Sequence, residues 1–377
     1  QFRGDSTRLL EFRAMSGALP GRVIVGLSGG VDSAVAALCL LRAGYQVEAL
    51  HMTNWEDANE HCTAGADLAD ARRVCADLDI RLHHVNFARE YRDDVFADFL
   101  SELRAGRTPN PDVACNRHIK FGAFLRHALR LGADLIATGH YARVEHGPAP
   151  RLFRPADRDK DQTYFLHAVE AAALSRTLFP LGSIAKHEVR SLARDYGLAN
   201  HAKRDSTGIC FVGERPFRQF LAEHVSADPG PILTTSGQLV GQHDGLPFYT
   251  LGQREGLGIG GCQGGLEAPW FVAAKDAARN ALIVVQGGDH PALLRQEIVA
   301  GTFRWLAGVP AAVTCGRELR ARIRHRHEPS PCHVHLLPGD RLRVRFDQPQ
   351  RTPTPGQYVV LYDGDECLGG GVIVDDS

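Results

Sequence analysis

Over roughly its first 200 residues the chain alternates short apolar runs with longer stretches whose apolar positions recur three and four apart. Arg22-Val23-Ile24-Val25-Gly26-Leu27 is a β-branched run of the kind that forms a buried parallel strand. The alanines and leucines of residues 34–42 then suit a helix, which Gly44 would end. Residues 45–52 read as a second strand. Residues 67–79 read as a helix with Leu68, Ala71, Val74, Cys75 and Leu78 on one face. A strand over 81–87, helices over 91–106 and 120–131, and a strand over 134–138 continue the rhythm. This alternation predicts an α/β domain built on a doubly wound parallel sheet, with ligands at the carboxyl ends of its strands.

Beyond about Gly213 helical periodicity fades, Gly and Pro become dense, and short alternating runs take over. The expected organisation is an α/β domain over 1–213, a small β-rich domain over 214–290 and a C-terminal β-barrel over 291–377. At 377 residues the chain is long enough for several cores. Its 44% apolar and 23% charged residues are ordinary for a globular protein, and its net charge of −1 announces no particular partner. No apolar run reaches the roughly 18–20 residues that cross a bilayer. Nine cysteines, with no C-x-x-C pair and no zinc-type spacing, fit a reducing compartment, hence a cytoplasmic protein. Residues 1–20 lack the apolar block of a secretory signal and read as a short extension.

Ser28-Gly29-Gly30-Val31-Asp32-Ser33 lies between the first strand and the first helix. A helix N-terminus there offers unpaired N–H groups to an anion. Gly29 and Gly30 allow close approach of backbone to phosphate, Ser28 and Ser33 add hydroxyls, and Asp32 could help to hold Mg²⁺. There is no lysine of the Walker type and no G-x-G-x-x-G. The string resembles the PP-loop of the N-type ATP pyrophosphatases, which leave AMP on a substrate oxygen.

Two cysteines stand out by their surroundings. Cys115 follows the Pro-rich stretch Thr108-Pro109-Asn110-Pro111-Asp112, expected to be a rigid loop entering a helix, and precedes Arg117 and His118. Asp112 is a candidate acid/base group or a contact for a base edge. Cys210 lies in Asp205-Ser206-Thr207-Gly208-Ile209-Cys210-Phe211, after Lys203 and Arg204. Cys39, Cys62 and Cys75 read instead as small buried apolar residues.

Residues 317–345 carry eight arginines against three acids. Arg320, Arg322, Arg324 and Arg326 alternate with Ala321, Ile323 and His325, and Arg341, Arg343 and Arg345 alternate with Leu342, Val344 and Phe346. Two strands would thus present an arginine face to phosphates, although a charged face can also serve only to discourage strand aggregation.

With these strings go Met52-Thr53-Asn54-Trp55, Ala137-Thr138-Gly139-His140-Tyr141, Lys160-Asp161-Gln162, Thr250-Leu251-Gly252-Gln253-Arg254, Thr354-Pro355-Gly356-Gln357 and Cys367-Leu368-Gly369-Gly370-Gly371. Together they resemble, nearly end to end, the tRNA 2-thiouridylase family of PP-loop enzymes. The resemblance implies that Gly26, Leu27, Ser28, Gly29, Gly30, Val31, Asp32, Ser33, Met52 and Gly139 bind ATP, and that Asn110, Pro111 and Asp112 face the target base. It implies that His140, Lys160, Asp161, Gln162, Arg324, His325 and Gln357 contact tRNA. Cys210 would carry a persulfide and Cys115 would be its partner, the two forming a transient disulfide. His325 stands where the family pattern leads one to expect an aromatic residue. The implied reaction is adenylation of the position-2 oxygen of a flipped-out wobble uridine, then sulfur transfer from a persulfide-carrying relay protein to a monomeric enzyme. The loop alone would also suit an amide-forming ligase or an RNA-binding protein with a vestigial nucleotide site.

Overall fold

The computed structural model describes residues 21–55, 64–204, 217–259 and 268–375. The expected α/β architecture is present. Strands β1 (Arg22–Gly26), β2 (Gln46–Thr53), β3 (Leu82–Asn86), β4 (Leu135–Ala137) and β7 (Thr177–Leu178) form a parallel sheet in the order β3-β2-β1-β4-β7. Strand β1 is buried from Val23 to Gly26, as its continuous apolar run requires. Helix α1 (Val31–Arg42) follows it, and Gly44 at φ +87° carries the chain out of that helix. Helix α2 (Ala64–Leu78) packs Ala71, Val74, Cys75 and Leu78 into the same core.

Two helical regions differ from the expected pattern. Residues 88–104 run through a π-helical stretch, Arg92–Phe96, into α3 (Ala97–Arg104). The stretch expected as a loop up to Cys115 is already helical. Asn110 is the N-cap of α4 (Pro111–Ala114), its side chain accepting from the Asp112 N–H, with Pro111 at the first helical position. A π-helix, Cys115–Ala123, then leads without a break into α5 (Phe124–Arg130). The prolines therefore start a helix rather than stiffen a loop. Helix α6 (Lys186–Asp195) covers α1.

The hairpin β5 (Arg143–Glu145) and β6 (Arg151–Phe153) leaves this domain and pairs with the C-terminal barrel, Glu366 facing Phe153 and Cys367 facing Leu152. The middle region forms a four-stranded sheet of β8 (Gly230–Thr234), β9 (Leu239–His243), β10 (Trp270–Asp276) and β11 (Ala281–Gln286), in the order β10-β11-β8-β9. The barrel consists of β12 (Leu294–Trp305), β13 (Leu319–Arg322), β14 (Ser330–Leu337), β15 (Arg341–Arg351), β16 (Tyr358–Asp363) and β17 (Glu366–Val374), closed by pairing of β12 with both β15 and β17. Its core is the inward row of those strands, among them Leu342, Val344, Phe346, Val359 and Leu361.

The two arginine stripes come out differently. On β15, Arg341, Arg343 and Arg345 are exposed and Leu342, Val344 and Phe346 buried, as alternation predicts. Strand β13 ends at Arg322, and the chain turns before Arg324, so Arg320–Arg326 is no continuous arginine face. Arg322 itself is 2% exposed. Residue alternation tells which face a side chain takes only as far as the strand lasts.

Candidate active site

The nucleotide loop sits at the carboxyl end of β1, where the connections to β2 and β4 leave in opposite directions. Its internal bonds are short-range: the Ser28 N–H donates to Ser33 Oγ at 3.2 Å, and Ser33 Oγ–H donates to the Gly30 carbonyl at 3.1 Å. Gly30 caps α1 with no side-chain acceptor, so the first-turn N–H groups face outward for an anion. Gly29 has φ +79°, and a Cβ there would stand 2.5 Å from the Asp67 carbonyl. Gly139, just past β4, packs so closely that a Cβ would meet Ser33 N at 2.7 Å. Leu27 and Val31 are buried beneath the loop. Half-buried Met52 lies beside Gly26, whose added Cβ would meet Met52 Cε at 3.6 Å and Phe124 Cε1 at 3.3 Å. The ATP residues expected from sequence thus form one contiguous patch.

Structure adds Lys186 and Asn200, which no sequence signal marked, and brings Tyr141 and Lys203 to the same patch. Lys186 Nζ on α6 donates to Asp32 Oδ1 and Oδ2 at 2.6 and 2.8 Å, and Tyr141 Oη–H donates to Asp32 Oδ1 at 2.9 Å. Asn200 Nδ2 donates to the Gly29 carbonyl at 3.0 Å. Lys203 Nζ bridges Asp67 and Asp70, which back the loop. Among the described residues no cluster of three or more His, Cys, Asp or Glu could hold a metal. A magnesium ion here would therefore take Asp32 as a protein oxygen and draw its other ligands from phosphate and water, a coordination Mg²⁺ favours.

Helix α5 seats Phe124 against Gly26, and the same continuous helix carries Asn110, Pro111, Asp112 and Cys115 at its other end. Burial raises the Asp112 carboxyl above the usual range, and the Lys120 ammonium opposes part of that rise. Asn116 Nδ2 donates to the Asp112 carbonyl at 3.0 Å, while its buried Oδ1 has no partner among the described residues. Cys115 lies near the start of the helix, as expected, but within it rather than on a loop, and it is 1% exposed. Cys210 and the rest of 205–211 lie outside the described residues, as does Cys62.

The loop 106–110 is held from outside its own domain. Gln357 Nε2 donates to the Thr108 carbonyl at 2.7 Å and reaches Pro109 O at 3.3 Å. The Thr108 N–H donates to Pro355 O at 2.9 Å. Gly356, at φ +89°, lies so near that a Cβ would meet Thr108 N at 2.9 Å. Lys275 Nζ of β10 donates to the Gly106 carbonyl at 3.0 Å.

Several residues expected to touch tRNA also have partners within the protein. Asp161 is 2% exposed: Oδ2 accepts from Arg154 Nε at 2.7 Å and Arg322 NH2 at 3.0 Å, and Oδ1 accepts from Thr163 Oγ1 at 2.6 Å. Burial would raise its carboxyl, yet Arg322, Thr163 and Arg154 hold it below the usual range. His140 is buried, bonded to Thr138 Oγ1 and flanked by Phe121 and Phe179; burial and Lys120 push its pKa well down, so it is neutral. Gln162 Oε1 accepts from the Tyr141 N–H at 2.8 Å. Lys160 is half-buried. Arg324 NH2 donates to Thr352 Oγ1 at 2.6 Å and to the Leu251 carbonyl at 3.3 Å. The His325 ring lies 4.4 Å from that of Phe165 at a tilt of 41°, its imidazole serving as the aromatic partner. Arg341, Arg343 and Arg345 of β15 are exposed, as are Arg320 and Arg326, with His333 and His335 facing Arg345 and Arg343 across the strand pair.

Comparison with known proteins agrees with this layout. The family model for a tRNA methyl transferase HUP domain matches residues 21–214, a tRNA methyl transferase PRC-barrel domain matches 218–286, and an aminomethyltransferase β-barrel domain matches 295–373. The tRNA-specific 2-thiouridylase MnmA of Methylococcus capsulatus is 56% identical over 93% of this chain and 95% of its own length. The proteins of that name from Alcanivorax borkumensis and Legionella pneumophila are 55% and 54% identical, each over 94% of this chain and 98% and 99% of their own.

Proposed function

Because the chain belongs to the tRNA-specific 2-thiouridylase family, we propose that its two loops divide the family's reaction, one activating oxygen and the other presenting the base. The enzyme is an ATP-dependent tRNA sulfurtransferase that converts the wobble uridine to 2-thiouridine while ATP is split to AMP and pyrophosphate. The observation that carries the division of labour is the packing of Gly139 and Gly26 around Ser28–Ser33, beside the helix that bears Asn110, Asp112 and Cys115. Near-full-length identity to thiouridylases outweighs the methyl-transfer wording of the domain descriptions.

In the first stage the uridine position-2 oxygen attacks the α-phosphate, pyrophosphate leaves, and the N3 proton passes to Asp112, whose burial suits it to hold one. The α1 N-terminus and Lys186 oppose the phosphate charge, with Mg²⁺ neutralising it further when bound beside Asp32. In the second stage the terminal sulfur of a Cys210 persulfide attacks carbon 2. AMP departs with the former O2, the Cys115 thiolate attacks the Cys210 Sγ, the persulfide S–S bond breaks to leave the sulfur on carbon 2, Asp112 returns its proton to N3, and the cysteines are left as a disulfide. A reductant returns them to thiols before a persulfide-carrying relay protein reloads Cys210. The reading includes a monomeric enzyme working in the reducing cytoplasm, and domain limits at 213 and 290. The β15 arginines supply phosphate contacts.

Unmodified tRNA incubated with enzyme, ATP, Mg²⁺ and a persulfide donor should yield 2-thiouridine by nucleoside mass spectrometry. Cys210→Ala should abolish it while leaving tRNA affinity intact. A folded, tRNA-bound wild type that produces none contradicts the reading.

A further inference from the structure

Lys275 stands far along the chain from every motif that marks the active site. It belongs to β10 of the central domain, yet its ammonium ends 3.0 Å from the Gly106 carbonyl in the N-terminal domain. Gly106 is the left-handed residue that ends α3, with its N–H on the Leu103 carbonyl and the Arg107 N–H on the Glu102 carbonyl. The Gly106 carbonyl therefore points away from the helix at its electronegative end, where a cation is favoured. Only three residues separate it from Asn110, the cap of the helix that carries Asp112 and Cys115.

The ammonium has no carboxylate partner among the described residues, and burial lowers its pKa to about 8. A lysine kept in such surroundings for packing alone would be replaced at no loss by an apolar side chain. The site beyond Gly106 offers a reason to keep it. Thr108 is already fastened to the barrel by Pro355 and Gln357, and its Oγ1 lies 3.5 Å from Thr250 Oγ1 of the central domain. The barrel thus fixes the far half of the loop, while Lys275 fixes the near half at the point where it leaves α3.

We propose that Lys275 is a positioning residue for uridine activation, tying the central domain to the Gly106 carbonyl so that Asn110–Asp112 meet the flipped base in register with the nucleotide loop. The proposal rests on the division of labour given above. It also assigns the central domain a part in the chemistry: its docking sets the aim of the base-facing loop. A displacement of that loop by about an ångström would lower the rate severalfold to a hundredfold without removing any group that touches substrate.

The test compares wild type, Lys275→Met and Lys275→Arg by single-turnover thiolation with preloaded persulfide, alongside tRNA binding, ATP KM and thermal stability. Methionine keeps the length and loses the donor; arginine restores one. Lys275→Met should lower the rate at saturating tRNA about tenfold, with tRNA Kd, ATP KM and Tm close to wild type, and Lys275→Arg should recover to within about twofold. An unchanged saturating rate in Lys275→Met overturns the proposal. So does a loss confined to tRNA affinity, which would make Lys275 a phosphate contact. Equal losses in both variants with a lowered Tm would make it a packing residue only. Wild-type thiolation in the same assay separates failure of this inference from failure of the functional reading.

Discussion

The nucleotide loop and the base-facing loop are built on opposite plans. Residues 26–33 are held by their own domain: by Gly139 beyond the neighbouring strand, by Asn200 on the Gly29 carbonyl, and by Lys186 and Tyr141 on Asp32. Residues 106–112 are held by the other two domains, through Lys275, Pro355, Gly356 and Gln357. On the proposed reading ATP meets a cradle held within a single domain, whereas the base meets a loop held by all three. Between the two runs a seam: Arg322 and Arg154 converge on Asp161, Gln162 joins Tyr141, and Tyr141 reaches Asp32.

The largest expected effect strikes the nucleotide side alone. Gly139→Val would drive Cβ into Ser33 N and distort the anion-binding turn. ATP-dependent turnover should fall about a thousandfold, with tRNA affinity unchanged in a filter-binding assay. Equal loss of both would mean that the cradle is not independent.

Cutting the seam comes next. Asp161→Ala leaves Arg322 buried without a carboxylate and Arg154 with Glu328 alone, and should cost about 3 kcal/mol in denaturant unfolding. A change near zero would show that the buried pair does not join the domains.

Acid should loosen the same junction. His167 is 1% exposed, donates Nδ1–H to the Tyr164 carbonyl, and lies against Gly370 of the barrel, with its pKa lowered by burial to about 4. The unfolded imidazole takes up its proton near pH 6.5, before the folded one. Stability is thus complete above that pH and is lost as pH falls from about 6.5 towards 4, by about 3 kcal/mol in all. His167→Asn should flatten this part of the profile, and an unaltered slope would exclude the residue.

The smallest effect sharpens the contrast most. If Gln357 acts by holding Thr108 and Pro109, Gln357→Ala lowers the saturating rate about tenfold and leaves tRNA Kd unchanged. A weaker Kd with an unchanged rate would mean direct contact with tRNA.

The same contrast explains what could be read from sequence. Ser28–Ser33 was legible because its chemistry lies in consecutive residues, with glycines where the backbone must turn and approach. Strand β1 was legible because it is buried on both sides and reads as an unbroken apolar run, whereas edge strand β3 is only part-buried and β7, two residues long, offered no apolar run to read. Lys186 was not, since nothing in a surface helix of ordinary composition shows that one lysine will meet an aspartate 154 positions earlier. Arg322 misled for a related reason. Alternation placed it on an arginine face, but the strand ends there and Asp161 lies opposite, 161 positions away. Cys115 was expected where a Pro-rich loop enters a helix, but Pro111 already begins that helix, which buries the thiol.

The claim at the centre of this account is that the nucleotide loop activates the uridine oxygen which sulfur then replaces. Transfer RNA with ¹⁸O at position 2 of the wobble uridine tests it in one single-turnover reaction, with AMP, pyrophosphate and nucleosides analysed by mass spectrometry. The account predicts one ¹⁸O in AMP, none in pyrophosphate, and 2-thiouridine in equal amount. Thiolated tRNA accompanied by unlabelled AMP would contradict it.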